Sequence, residues 1–264
     1  MTALMTTVWS WLKDYPMLAL AIWFQVALAV FALVLMPFDK RQILGVNPWV
    51  KPLKFDLSVA IFLVTMAGVL SGLQGLDRAR WWIGAGMGVV MGLENCVISL
   101  QSLRGVRSHM NFSTPLNTHL FWSMAALIAI NTGLVAVTLG LVSFNRTLWP
   151  PAVAWGVRLG LAALLAGSLE GLLIVSKGGH TVGAADGLPG LPFVNWSREH
   201  GDLRVAHFFA LHALQAFPFL GWLLSRTSLP VWPQIAVTCA GAAIYLGAVW
   251  LLFRQAMAGR PVLN

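Results

Sequence analysis

Seven apolar stretches, at about 17–36, 54–73, 81–102, 119–143, 151–176, 203–225 and 231–253, constrain this chain more than any other feature. Each runs roughly 19–26 residues, enough at ~1.5 Å per helical residue to cross a hydrocarbon core about 30 Å thick. Backbone amides in lipid must bond within their own segment or inside a closed barrel, and barrel strands alternate over about ten residues. The stretches therefore predict an all-α polytopic membrane protein, a seven-transmembrane-helix bundle. With 58% hydrophobic and 10% charged side chains over 264 residues, the chain lacks the polar surface that a water-soluble fold of this size needs. The first stretch follows Lys13 and carries Gln25 at its middle, so it reads as a retained helix and not a cleaved signal.

No linker, repeat or low-complexity tract interrupts the chain, which predicts a single integral membrane domain over 1–264. The net charge of +8 is scattered over short loops without interleaved aromatics, so it points to the lipid bilayer and not to nucleic acid. An odd number of crossings puts Lys13, Arg78, Arg80, Arg146 and Arg226 on one side. Lys40, Arg41, Lys51, Lys54, Arg104, Arg107 and five further cations lie on the other, which the positive-inside bias makes cytoplasmic. The amino terminus is then expected outside and the carboxyl terminus in the cytoplasm. Trp9, Trp49, Trp81, Trp82, Trp122, Trp149 and Trp232 stand near segment ends, as interfacial anchors do. Cys96 and Cys239 fall inside spans, where thiols act as small apolar groups.

An ionisable group inside a bilayer costs free energy unless it is paired or hydrated, so such groups nominate a site. All six histidines fall at or just inside one face of the expected bundle. Glu94, Gln101 and Arg104 are spaced by seven and three, which places them on one helical stripe. The stripe continues into 104–119 with Arg107, His109, Asn111, Asn117 and His119. On the sixth span Arg204, His207, His212 and Gln215 share an arc of about 140°, while Glu170 ends the fifth and Lys54, Asp56 and Ser58 begin the second. Arg158 is expected to snorkel toward the opposite interface, and Gln25 and Asn131 to bond between helices. Pro218 frees the carbonyl of Leu214 inside the sixth span. The 177–202 connection is long but holds Leu191, Phe193 and Trp196, and an ordered cap is expected there.

Imidazole is the commonest side-chain metal ligand and a common axial ligand of haem. The leading expectation is accordingly a membrane oxidoreductase that binds a metal ion or haem through His109, His180, His207 and His212. Glu94, Glu170 and Arg204 are its candidate catalytic or proton-carrying groups, and Arg104, Arg107 and Asn111 would hold an anionic or cofactor group. His207 and His212, five apart, diverge by about 140°, so ligands on one ion need a partner between them. A zinc-dependent hydrolase acting on a lipid or another small lipid-soluble substrate is the first alternative. Seven helices with histidines at one face are similar to ceramidase-like membrane hydrolases, but the last span lacks their histidine pair. The second alternative is a proton or small-ion transporter or sensor built on the same groups.

The strings NPWVKPLKFDLS at 47–58, LQSLRGVRSHMNFSTPLNTHLFW at 100–122 and HTVGAADGLPGLPFVNWSREHGDLRVAHFFALHALQ at 180–215 resemble an uncharacterised family of bacterial multipass inner-membrane proteins. The resemblance implies a bacterial inner-membrane location and brings no activity, ligand or catalytic residue with it.

Overall fold

The computed structural model describes residues 10–263; Trp9 lies outside them. A short helical turn at 10–14 leads into seven long helices, all long and apolar enough to cross a membrane. They are α1 (Pro16–Leu35), α2 (Val50–Ser71), α3 (Asp77–Leu103), α4 (Pro115–Phe144), α5 (Pro151–Ser176), α6 (Leu203–Ser225) and α7 (Val231–Met257). Between α5 and α6 lies a two-stranded antiparallel ladder of β1 (Thr181–Val182) and β2 (Gly201–Asp202). The architecture is all-α and polytopic, as the apolar stretches predict. Helices α2, α3 and α4 each begin four residues before the expected start. Their first turns carry Lys51, Asp77 or Asn117, and a polar first turn is helical without being lipid-soluble, so hydropathy misses it. Pro16 and Pro151 open α1 and α5, where the missing amide hydrogen costs nothing.

The chain forms two compact units, Met1–Leu134 and Val135–Asn264, with α4 passing through the boundary. In the first unit α1, α2 and α3 pack on one another around Leu18, Leu63, Met66, Leu70, Met87 and Ile98, all without exposed surface. Gly88 permits the approach of α1 to α3, since a β-carbon there would lie 3.0 Å from the Met17 carbonyl oxygen. Trp49 is packed inside the protein, 1% exposed against Ala29, Ala32 and Leu53, whereas Trp82 and Trp232 are 67% and 78% exposed; its Nε1 donates to Asp39 Oδ2 (3.0 Å) within the 37–49 turn. The Arg41 guanidinium beside Asp39 holds that carboxyl below the usual carboxylate range. Arg41 Nη1 also donates to the Leu103 carbonyl (3.0 Å), fastening this turn to the end of α3.

In the second unit α5 and α6 form the closest helix pair, along a seam of small residues. A β-carbon on Gly156 would strike the Phe217 carbonyl, one on Gly160 would lie 2.9 Å from Leu214 Cα, and one on Gly167 would lie 2.8 Å from Ala210 Cβ. Spacing by four and seven keeps these glycines on one face, the close-approach geometry of small residues between membrane helices. α6 runs on through Pro218. Gly156→Ala should therefore lower stability by about 1–3 kcal/mol, read as a lower unfolding midpoint in detergent. Gly247→Ala on α7, where nothing lies within 4 Å, should cost nothing. Equal midpoints for the two variants would dismiss the seam.

Tyr245 ties α7 to α6 by donating to the Phe209 carbonyl (2.8 Å). Arg158 donates through Nε and Nη2 to the Val142 carbonyl (3.2 and 3.1 Å), satisfying one of the four carbonyls that α4 leaves open at its end. The 177–202 connection is ordered, as its composition predicts. Asp186 accepts from the His180 and Thr181 amides, Leu191 N bonds Trp196 O (2.8 Å), and the Trp196 ring packs against Phe208 and Phe209 of α6.

Candidate functional site

The costliest side chain of the first unit is Glu94, nine residues inside the Leu103 end of α3 and so about 14 Å along the axis. It is fully buried, and neither carboxylate oxygen has a hydrogen-bond partner. An ionised carboxylate in that state is expensive, so the group must hold its own proton or share a cation. His109 stands beside it, with Nε2 3.8 Å from Glu94 Oε1. The other ring nitrogen, Nδ1, is 3.1 Å from Lys51 Nζ and 3.1 Å from Ser108 Oγ. An ammonium group only donates, so Nδ1 accepts and the ring hydrogen sits on Nε2, facing Glu94. At 3.8 Å no hydrogen bond forms, but a side-chain shift of under about 1 Å would make one.

Local structure sets this geometry. The chain leaves α3 through Gly105 at φ +70°, and Met110, next to the histidine, takes a left-handed φ of 49°. That conformation is unfavourable for a residue with a β-carbon and persists only where its surroundings impose it. Asn111 supplies part of the constraint, donating to the Arg107 carbonyl (2.8 Å) and accepting from Ser113. Arg104 donates to Gln101 and to Asn117 Oδ1 (2.8 Å), joining the end of α3 to the start of α4. Arg104 and Asn111 thus brace the turn that carries His109.

A second buried group occupies the same unit. Asn95 Nδ2 donates to Gln25 Oε1 (2.5 Å) and to Asp56 Oδ1 (2.9 Å), linking α3 to α1 and α2. Gln25 therefore bonds between helices as expected, whereas the carbonyl oxygen of Asn131 has no partner.

In the second unit each histidine has its own surroundings. His180 Nδ1 lies 3.4 Å from Asp186 and 3.7 Å from Asp202. His207 Nδ1 is 2.8 Å from the Gly167 carbonyl, and Gly171 leaves room for its ring. His212 pairs with Gln215 (3.2 Å) and lies against Phe208. Glu170 keeps one buried oxygen without a partner. Arg204 clasps Asp202, donating from Nε to Oδ1 (2.9 Å) and from Nη2 to Oδ2 (2.6 Å). Of the residues singled out in the sequence, the structure brings Glu94 to His109 within one unit. His180, His207 and His212 belong to the other, and among the described residues no three His, Cys, Asp or Glu side chains gather in a metal-holding arrangement.

Sequence reasoning missed Lys51 as the partner of His109, and Asn95 altogether. Lys51 reads as a topological charge, and the only signal for Asn95 is a polar residue directly after Glu94 in an apolar run.

His109 makes the site sensitive to pH. Burial, and secondly the Lys51 ammonium, hold its pKa well below the ordinary 6.5. Unfolding frees the ring to bind a proton that the folded protein refuses, so stability should fall as pH drops below about 6.5 and continue falling to the folded-state pKa. Unfolding midpoints between about pH 7.5 and 5.5 should decline in the wild type and less in His109→Gln; parallel slopes would remove His109 as the cause. Compared with protein-family models, curated proteins and solved structures, the chain matches none.

Proposed function

We propose that the protein conducts protons across the membrane, with Lys51, His109 and Glu94 of the first unit as a relay. The observation that carries this reading is the fully buried Glu94 carboxylate, without a hydrogen-bond partner and 3.8 Å from the imidazole Nε2. Lys51, in the first turn of α2, is at the surface end of the relay, and Glu94 is deep in α3. In one transfer Lys51 gives a proton to His109 Nδ1 while Nε2 gives its own to Glu94. Lysine becomes neutral, the ring changes tautomer and the carboxylate becomes a carboxylic acid, so every proton is accounted for. Protein reconstituted in liposomes with an entrapped pH-sensitive dye should dissipate an imposed pH gradient faster than empty liposomes, and Glu94→Gln should not. Equal rates for protein-containing and empty liposomes would sink the reading.

Metal or haem binding in the second unit is the second reading, and one observation favours it. His207 Nδ1 is committed to the Gly167 carbonyl, which leaves a lone pair on Nε2, the orientation that metal-binding imidazoles use. Metal analysis and an absorption spectrum of the purified protein decide it. A Soret band or stoichiometric redox metal supports an oxidoreductase; colourless zinc supports a lipid hydrolase.

A further inference from the structure

The Asp56, Asn95 and Gln25 group uses none of the relay residues, and its chemistry is different. One residue comes from each of α2, α3 and α1, and all three are buried, at 1%, 0% and 0% exposure. Asn95 spends both amide hydrogens, one on Gln25 Oε1 and one on Asp56 Oδ1. Those bonds fix the amide, since turning it over would press its oxygen against two other oxygens. The consequence is two orphans: Asn95 Oδ1 and Asp56 Oδ2 are buried acceptors with no donor. They belong to two side chains that are themselves joined by one 2.9 Å hydrogen bond.

We infer that this group binds a small monovalent cation, with Asp56 Oδ2 and Asn95 Oδ1 as ligands and Gln25 holding the asparagine in place. Unpaired acceptor oxygens require a hydrogen donor or a cation, because leaving them unmade forfeits their hydration. Oxygen ligands without sulfur or imidazole select hard cations. The charge count selects the valence: one carboxylate balances one positive charge, whereas a divalent ion would leave an uncompensated charge in a low-dielectric interior. Asn95 follows Glu94 on α3 and is turned about 100° from it, so the cation site and the proton relay stand or fall separately.

The test uses the purified full-length protein in detergent and sodium as the probe. Sodium chloride is titrated against choline chloride at constant ionic strength, and the unfolding midpoint is followed. A ligand of the folded state raises that midpoint with the logarithm of its concentration once above its dissociation constant, by on the order of 3–6 °C at tenfold above it. The rise should disappear in Asp56→Asn and persist in Glu94→Gln. A wild type indifferent to sodium, or an undiminished rise in Asp56→Asn, overturns the inference. Should Asp56→Asn not fold, radioactive sodium on the wild type decides. Binding displaced by unlabelled sodium and not by choline supports the site; absence of displaceable binding removes it.

Discussion

Glu94→Gln should cut protein-mediated proton flux in liposomes roughly a hundredfold, the low end of what a positioned proton donor or acceptor contributes. The amide matches the carboxylate in size but can neither take up nor release the proton. Glu94 lacks any hydrogen bond that the exchange would break, so the variant should fold and keep an unfolding midpoint at or above that of the wild type. Glu94→Asp separates geometry from chemistry. It keeps the acid but draws the carboxylate back by about one carbon–carbon bond from a ring already 3.8 Å away, and flux should fall to an intermediate value. His109→Ala, which removes the middle of the relay, should resemble Glu94→Gln. Flux that survives in both variants would place the conducting path elsewhere.

The fold was legible because lipid imposes one rule on every backbone group, and seven long apolar runs leave little choice of architecture. Helix ends were less legible, since Val50, Asp77 and Pro115 begin turns that the interface tolerates and hydropathy does not register. Glu94 announced itself by cost: a carboxylate in an apolar run carries a signal that needs no structure to read. His109 was visible as a histidine on the stripe that continues from Glu94, but its link to Lys51 is a contact across 58 positions, through a connection with a left-handed turn at Met110, that residue spacing does not show. Asn95 gave almost no signal, because a neutral amide looks like ordinary interhelical polarity until its orphaned oxygen is seen. The histidines of the second unit were legible as residues and illegible as partners. His207 donates to a backbone carbonyl 40 positions away, which no side-chain pattern encodes. The glycines at 156, 160 and 167 were written in the sequence at helical spacing, yet their meaning rests on which helix lies opposite.

Arg204→Met should cost the second unit about 3 kcal/mol, because it strips the strongest partner from a carboxylate with only 1% of its side chain exposed. Arg204 meets Asp202 with two parallel bonds, the geometry that lysine cannot reproduce, so Arg204→Lys should recover only part of the loss. The remaining donors to Asp202 are the Arg204 and Ser197 amides (3.0 and 2.9 Å), which keep the cap of α6 but carry no full charge. A double-mutant cycle isolates the pair. Asp202→Asn retains a capping side chain and removes the charge, so adding it to Arg204→Met should cost less than the two single changes together. Burial alone would raise the Asp202 pKa, but the guanidinium, the Ser197 amide and His180 outweigh it and hold the carboxyl low. That contribution is complete above the ordinary 3.8 and is lost as pH falls through the folded-state value, because the unfolded chain takes up the proton first. In Arg204→Met burial prevails, and protonation relieves the strain instead of adding to it. The stability gap between wild type and variant should therefore be widest near neutrality and close as the solution is acidified; a gap constant with pH would mean that Arg204 acts by packing and not by charge.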